Sequence, residues 1–149
     1  MVSIKHRLFG LSLRLALSLG LLSASAVAVS QAPLTGLASL RWQHRIILVD
    51  ARIPDAVEHL RKAQGALDER DIVWFVSHQD RLRSNYPGPL SDALAAELER
   101  QYFSRSGAAV FLIGKDGGLK LSDQRLDLPR LFERIDAMPM RKREMEGAQ

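Results

Sequence analysis

The sequence predicts an α/β domain, a four-stranded mixed sheet flanked by helices in the order β-α-β-α-β-β-α. Three observations lead there. Ile46-Ile47-Leu48-Val49 and Ile72-Val73-Trp74-Phe75-Val76 are continuous apolar runs, the mark of strands covered on both faces of a sheet. Between them Ala56, Leu60, Ala63 and Leu67 recur at helical spacing and give one apolar stripe. Finally, Val110-Phe111-Leu112-Ile113 meets Leu119-Lys120-Leu121 across Asp116-Gly117, a dipeptide suited to a type I′ hairpin turn, which needs positive φ at both central residues.

The chain opens on a targeting signal. Lys5, His6 and Arg7 form a basic start, residues 8–22 are mostly Leu, Ala, Gly and Ser, and Ala24-Ser25-Ala26 and Ala26-Val27-Ala28 both fit an A-x-A cleavage site. From Leu15 the apolar stretch is shorter than the ~20 residues of a spanning helix, so no stable membrane anchor is expected after cleavage. Of 21 basic residues, Lys5, Arg7 and Arg14 lie in the signal and no acid does, so cleavage after Ala28 takes the net charge from +4 to +1. That balance gives no field for steering nucleic acid. The chain has no cysteine, which removes disulfides, thiolate nucleophiles, CxxC motifs and cysteine metal sites together.

The expected organisation is a signal peptide over residues 1–28, a lead-in over 29–40, one domain over 41–145 and a disordered tail over 146–149. After the first strand, Pro54 suits the first turn of a helix over residues 55–69, weakened by Gly65. Residues 81–90 read as a polar loop ending in Pro87-Gly88-Pro89. Ser91 is a suitable N-cap for a helix buried through Leu94, Leu98 and Tyr102. Asp127 caps the last helix, with Pro129 in its first turn and Leu128, Leu131, Phe132, Ile135 and Met138 as its stripe. Pro139 stops that helix, and residues 140–149 are a charged, fraying end. Trp42 and Trp74 are expected in or near the core. The element order is that of the thioredoxin fold.

Three blocks carry a resemblance to a known family: Arg41-Trp42-Gln43-His44-Arg45-Ile46-Ile47-Leu48-Val49, Phe111-Leu112-Ile113-Gly114-Lys115-Asp116-Gly117-Gly118-Leu119-Lys120-Leu121, and Ile135-Asp136-Ala137-Met138-Pro139-Met140-Arg141-Lys142-Arg143-Glu144-Met145. Together they resemble the domain-of-unknown-function 4174 family, found in bacterial secreted proteins and in animal extracellular matrix proteins with sushi repeats. The resemblance implies a peroxiredoxin-like, thioredoxin-like fold and a secreted or periplasmic location; it carries no established reaction. Relatives of that fold place a reactive cysteine just after the first strand. Here that place holds Ala51-Arg52-Ile53-Pro54, which offers no nucleophile.

Asp50, His78 and Asp80 are the enzymatic candidates, at or just past the C-terminal ends of two parallel strands, where open α/β sheets place ligands. A His beside a carboxylate can act as a general base or a metal pair. Equally, polar residues simply end strands in water, and no third ligand is evident, so no metal or cofactor is expected. Gly114-Lys115 is not a P-loop: Asp116 stands where Ser or Thr is required and a strand follows. Lys115, Lys120 and Arg141 remain as contacts to an anionic partner, against a default of solvated surface. Asp136 has Arg134 and Arg141 available as partners. The expected function is an exported, thioredoxin-like binding or structural module without thiol redox activity, its partner a protein or an envelope or matrix component. The alternative is a cofactor-free or metal-dependent enzyme using Asp50, His78 and Asp80.

Overall fold

The computed structural model describes residues 32–78, 81–105 and 107–148; the signal segment and Asp80 lie outside them. Five strands form one mixed sheet: β1 (Arg45–Val49), β2 (Ile72–His78), β3 (Arg81–Ser84), β4 (Val110–Ile113) and β5 (Leu119–Asp123), in the spatial order β3-β2-β1-β4-β5. β1 and β2 are parallel, with Ile47 opposite Trp74, and every other pairing is antiparallel.

The sheet therefore has five strands and not the four expected. The extra one, β3, lies inside the segment read as a polar loop. Arg81-Leu82-Arg83-Ser84 holds one apolar side chain, too little for a periodic signal, and the strand exists because its backbone pairs along the edge of β2. Past the end of β3, Asn85 extends the edge with its side chain. Its Oδ1 accepts from the Trp74 N–H at 2.8 Å and its Nδ2 donates to the Ile72 carbonyl at 3.0 Å.

Alternation along the strands sends side chains to two cores. Ile46, Leu48, Val73, Phe75, Phe111 and Ile113 face one layer, made by α3 (Asp92–Leu98), the π-helical turn Glu99–Phe103 and the short 3-10 helix Leu37–Leu40. Ile47, Val49, Trp74, Val76, Val110 and Leu112 face the other, made by α1 (Ala56–Lys62), α2 (Gln64–Asp68) and α4 (Leu128–Asp136). Burial of such side chains contributes about 1.5–3 kcal/mol each. The caps are as the sequence suggests: Ser91 Oγ accepts from the Leu94 N–H at 3.1 Å, and Asp127 Oδ1 from the Arg130 N–H at 3.0 Å.

Four details differ from expectation. The helix over 55–69 is two helices, broken at Ala63, and Pro54 precedes the N-cap Asp55, which is left-handed with φ 53°. The β4–β5 turn is longer than a two-residue I′ turn: Gly117 takes the positive φ of 81°, Asp116 does not, and the Gly117 N–H bonds to the Gly114 carbonyl at 2.9 Å. Trp42 is not in the core. It is left-handed (φ 66°), donates its backbone N–H to the Lys115 carbonyl at 2.6 Å, and leaves its ring 64% exposed. Lastly, α4 does end before Pro139, but the residues beyond do not fray. They form α5 (Pro139–Gly147), with Pro139 in its first turn, where a missing N–H leaves no bond unmade. The helix reaches into the segment expected to be a free tail.

Candidate functional site

β1 has a charged group at each end. At its C-terminal end, Asp50 is already engaged. Its backbone N–H donates to the Ala109 carbonyl at 2.8 Å. Its carboxylate accepts from the Arg52 N–H at 2.8 Å and from Arg52 Nε at 2.9 Å, while Arg52 Nη2 reaches the Ala108 carbonyl at 3.1 Å. The hydrogen bond and charge of Asp50 raise the Arg52 pKa further. The group organises a loop. His78 is exposed at the end of β2, opposite Arg81, and lines a shallow cleft of about 340 Å³ with Arg61 and Arg83. Asp50 does not line that cleft, and Asp80 is outside the described residues. Among those residues, no three His, Asp or Glu side chains come together as a metal set.

The opposite end is built differently. Arg45 opens β1 with its side chain only 1% exposed. Its parity matches that of Ile47 and Val49, so it enters the core side that α4 covers. Its guanidinium is a fork on Glu144 of α5: Nη1 donates to Oε2 at 3.1 Å and Nη2 to Oε1 at 3.2 Å. Nη1 also donates to the Arg70 carbonyl at 2.9 Å, and Nε has no partner among the described residues. The longer hairpin turn lets Lys115 reach the same carboxylate. Its Nζ lies 2.8 Å from Glu144 Oε1 and 2.7 Å from Asp71 Oδ2.

Asp136 forms a second knot beside the first. Arg70 donates through Nε at 3.0 Å and Nη2 at 2.6 Å, with its guanidinium 4.6 Å from the centre of the Phe132 ring, and Arg141 adds a longer contact at 3.4 Å. Arg134 is not a partner of Asp136; Arg70 takes that place. Burial pushes the Asp136 carboxyl up, but the hydrogen bonds and charges of Arg70 and Arg141 outweigh it and hold it below its ordinary value. Glu144 behaves alike: burial raises it, and Lys115 and Arg45 together bring it below.

Between the hairpin and the α4–α5 corner lies a cleft of about 420 Å³. Arg45, Lys115, Lys120, Arg134 and Arg143 line it, with Asp116 as the one acid and Ala137, Met138, Pro139 and Met140 as an apolar wall. Lys120 is held by Asp116 at 2.6 Å. Among the described residues, Arg134 and Arg143 have no carboxylate partner; Arg143 makes only a long contact of 3.4 Å to the Pro139 carbonyl. Beside Gly114 the Lys120 side chain lies close over the backbone, so that a Cβ there would lie 2.5 Å from Lys120 Cε and the side chain would have to shift.

Of the candidate contacts to an anion, Lys115 and Lys120 thus sit in this cleft, while Arg141 stands beside it, on Asp136 and, at 3.7 Å, on Glu144. Sequence reasoning missed Arg45 and Glu144. The available signal was a charge directly ahead of a continuously apolar strand that is covered on both faces.

Residues 36–144 match the family described as Domain of unknown function (DUF4174). No curated protein and no solved structure matches the chain.

Proposed function

The chain belongs to the DUF4174 family, and from that premise we propose that it is an exported, thioredoxin-like module that binds an anionic ligand in the cationic cleft and carries out no thiol redox step. The observation that carries the reading is the cleft itself. Five cations face an apolar wall there, and Arg134 and Arg143 have no carboxylate partner among the described residues. An unpaired cation in a concave, partly apolar site attracts and orients anions.

Further support comes from the architecture. Without its edge strand β3, the sheet runs β2-β1-β4-β5, with the first pair parallel and the rest antiparallel, the arrangement of a thioredoxin-like core. The chain has no cysteine to cycle. The three blocks that carry the family resemblance converge on the cleft, supplying Arg45, the hairpin Gly114 to Lys120, and the α4–α5 corner. Binding is favoured over catalysis by Asp50 and His78, because both Asp50 oxygens are taken up by Arg52. Residues 1–28 are the export signal on this reading, and residues 41–145 the domain.

The test is a thermal-shift series on the purified protein with phosphate, sulfate and organic acids, beside an Arg134→Ser/Arg143→Ser variant. At least one anion is expected to raise the midpoint of the parent and to lose that effect in the variant. The reading fails if no anion shifts the parent, or if the variant responds equally. N-terminal sequencing of exported protein tests the signal: a start just after Ala26 or Ala28 is expected, and intact Met1 overturns it.

A further inference from the structure

We propose that the cleft is a carboxylate site: it takes a ligand whose carboxylate is joined to an apolar body, and Glu144 is the internal carboxylate that holds the inner cations in its place. This rests on the cleft being the binding face, and it names what binds there and what competes.

The geometry around Glu144 defines the chemistry. The two Nη atoms of Arg45 meet the two oxygens of one planar carboxylate, and Lys115 adds a third contact to Oε1. A guanidinium fork with an ammonium beside it suits a flat two-oxygen acceptor. Arg45 is also a costly residue for a fold to keep. Its side chain is 1% exposed and its Nε is unpartnered, whereas an apolar pair of similar volume commonly serves stability as well or better.

The element that carries Glu144 is the one best able to leave. α5 has no buried residue. Apart from the corner, it is held by charge: Glu144 on Arg45 and Lys115, and Arg141 on Asp136. Segments with few apolar contacts open at low cost. When α5 swings out, Arg45 and Lys115 are left with an unfilled carboxylate position at the inner end of the cleft. Ala137 and Met138, the part of the wall that precedes α5, then receive the apolar part of the ligand; methionine adapts its shape to such groups. The cleft, about 420 Å³, falls in the range of small-molecule sites, roughly 300–1,000 Å³. A free organic acid and the C-terminal end of a peptide share this chemistry.

The experiment compares the parent with Glu144→Gln by calorimetry. The probes are octanoate, a short peptide ending in leucine with a free or an amidated C-terminus, and inorganic phosphate. Removing the internal competitor should tighten octanoate or the free-ended peptide by about tenfold or more, because a larger fraction of the protein is then competent to bind. The amidated peptide and phosphate should gain nothing. A gain for octanoate alone points to a small organic acid; a gain for the free-ended peptide alone points to a chain end. In the parent, saturating octanoate should speed amide hydrogen exchange across residues 140–147, which also decides the matter if Glu144→Gln does not fold. The proposal is overturned if α5 exchange is unchanged, or if the variant binds carboxylates no better than the parent. Equal gains for phosphate and octanoate would overturn the carboxylate assignment and leave the anion-binding reading standing. Binding of no anion to either protein would remove both.

Discussion

The two ends of β1 carry charge in opposite ways. At the Asp50 end, the pair is local: Asp50 and Arg52 are two residues apart, and although the carboxylate is only 15% exposed, the arginine is 57% exposed. At the Arg45 end, the partners come from far along the chain, 99 residues away for Glu144, and 66 separate Arg70 from Asp136. Local exposed pairs shape a loop and contribute little to stability. Distant, shielded pairs fix how whole elements dock. The cleft proposed as the binding site lies at the end of the sheet opposite the one where parallel strands conventionally present ligands.

The comparison can be broken by substitution. The largest effect is expected at the strand the two ends share: Leu48→Ala, fully buried, should cost about 2–5 kcal/mol in denaturant unfolding and weaken both ends alike. At the Arg45 end, Glu144→Leu should cost about 1–3 kcal/mol by leaving the buried Arg45 with only the Arg70 carbonyl as acceptor. Adding Arg45→Met should recover most of that loss, because an apolar pair replaces an ionic one; no recovery would mean that the two groups do not act as a pair. Asp136→Ala should also cost about 1–3 kcal/mol, since its partners Arg70 and Arg141 are only 15% and 14% exposed. A neutral result there would place this end in the same class as the other. Asp50→Ala should cost only about 0–1 kcal/mol, because the exposed Arg52 turns to solvent when its partner is lost.

Acid sharpens the same contrast. Asp136 and Glu144 are held below their ordinary values of 3.8 and 4.5. Their contribution is therefore complete above the unfolded-state values and is lost as pH falls through the lower folded ones. Urea midpoints followed from about pH 7 to about pH 3 should drop steeply in the parent and less so in Arg45→Met/Glu144→Leu. Equal slopes would show that Glu144 contributes nothing to acid sensitivity.

The same distinction explains what was legible in the sequence. β1, β2 and β4 are readable because a strand covered on both faces must be apolar throughout, and the caps at Ser91 and Asp127 are readable because they act within three residues. Arg45 and Glu144 leave no local trace of their pairing. Pro139 carries two meanings, a stop for the helix before it and a start for the helix after it, and only the first is evident until α5 is seen to dock. Trp42 misleads for a related reason. Apolar character predicts burial, but the tie from its backbone to the Lys115 carbonyl turns the ring outward. β3 is invisible to composition because an edge strand of four residues is defined by the backbone it pairs with.

That edge has one more consequence. β3 covers only Phe75 to His78 of β2, so the outer rim beside Ile72 and Trp74 would present a free N–H and a free carbonyl, the template on which a second chain could add a strand. Asn85 fills both positions with its own amide. One side chain thus pairs two edge groups that a longer β3 would otherwise have to pair. Asn85→Ala leaves the Trp74 N–H and the Ile72 carbonyl without that partner and should raise concentration-dependent association, read by light scattering.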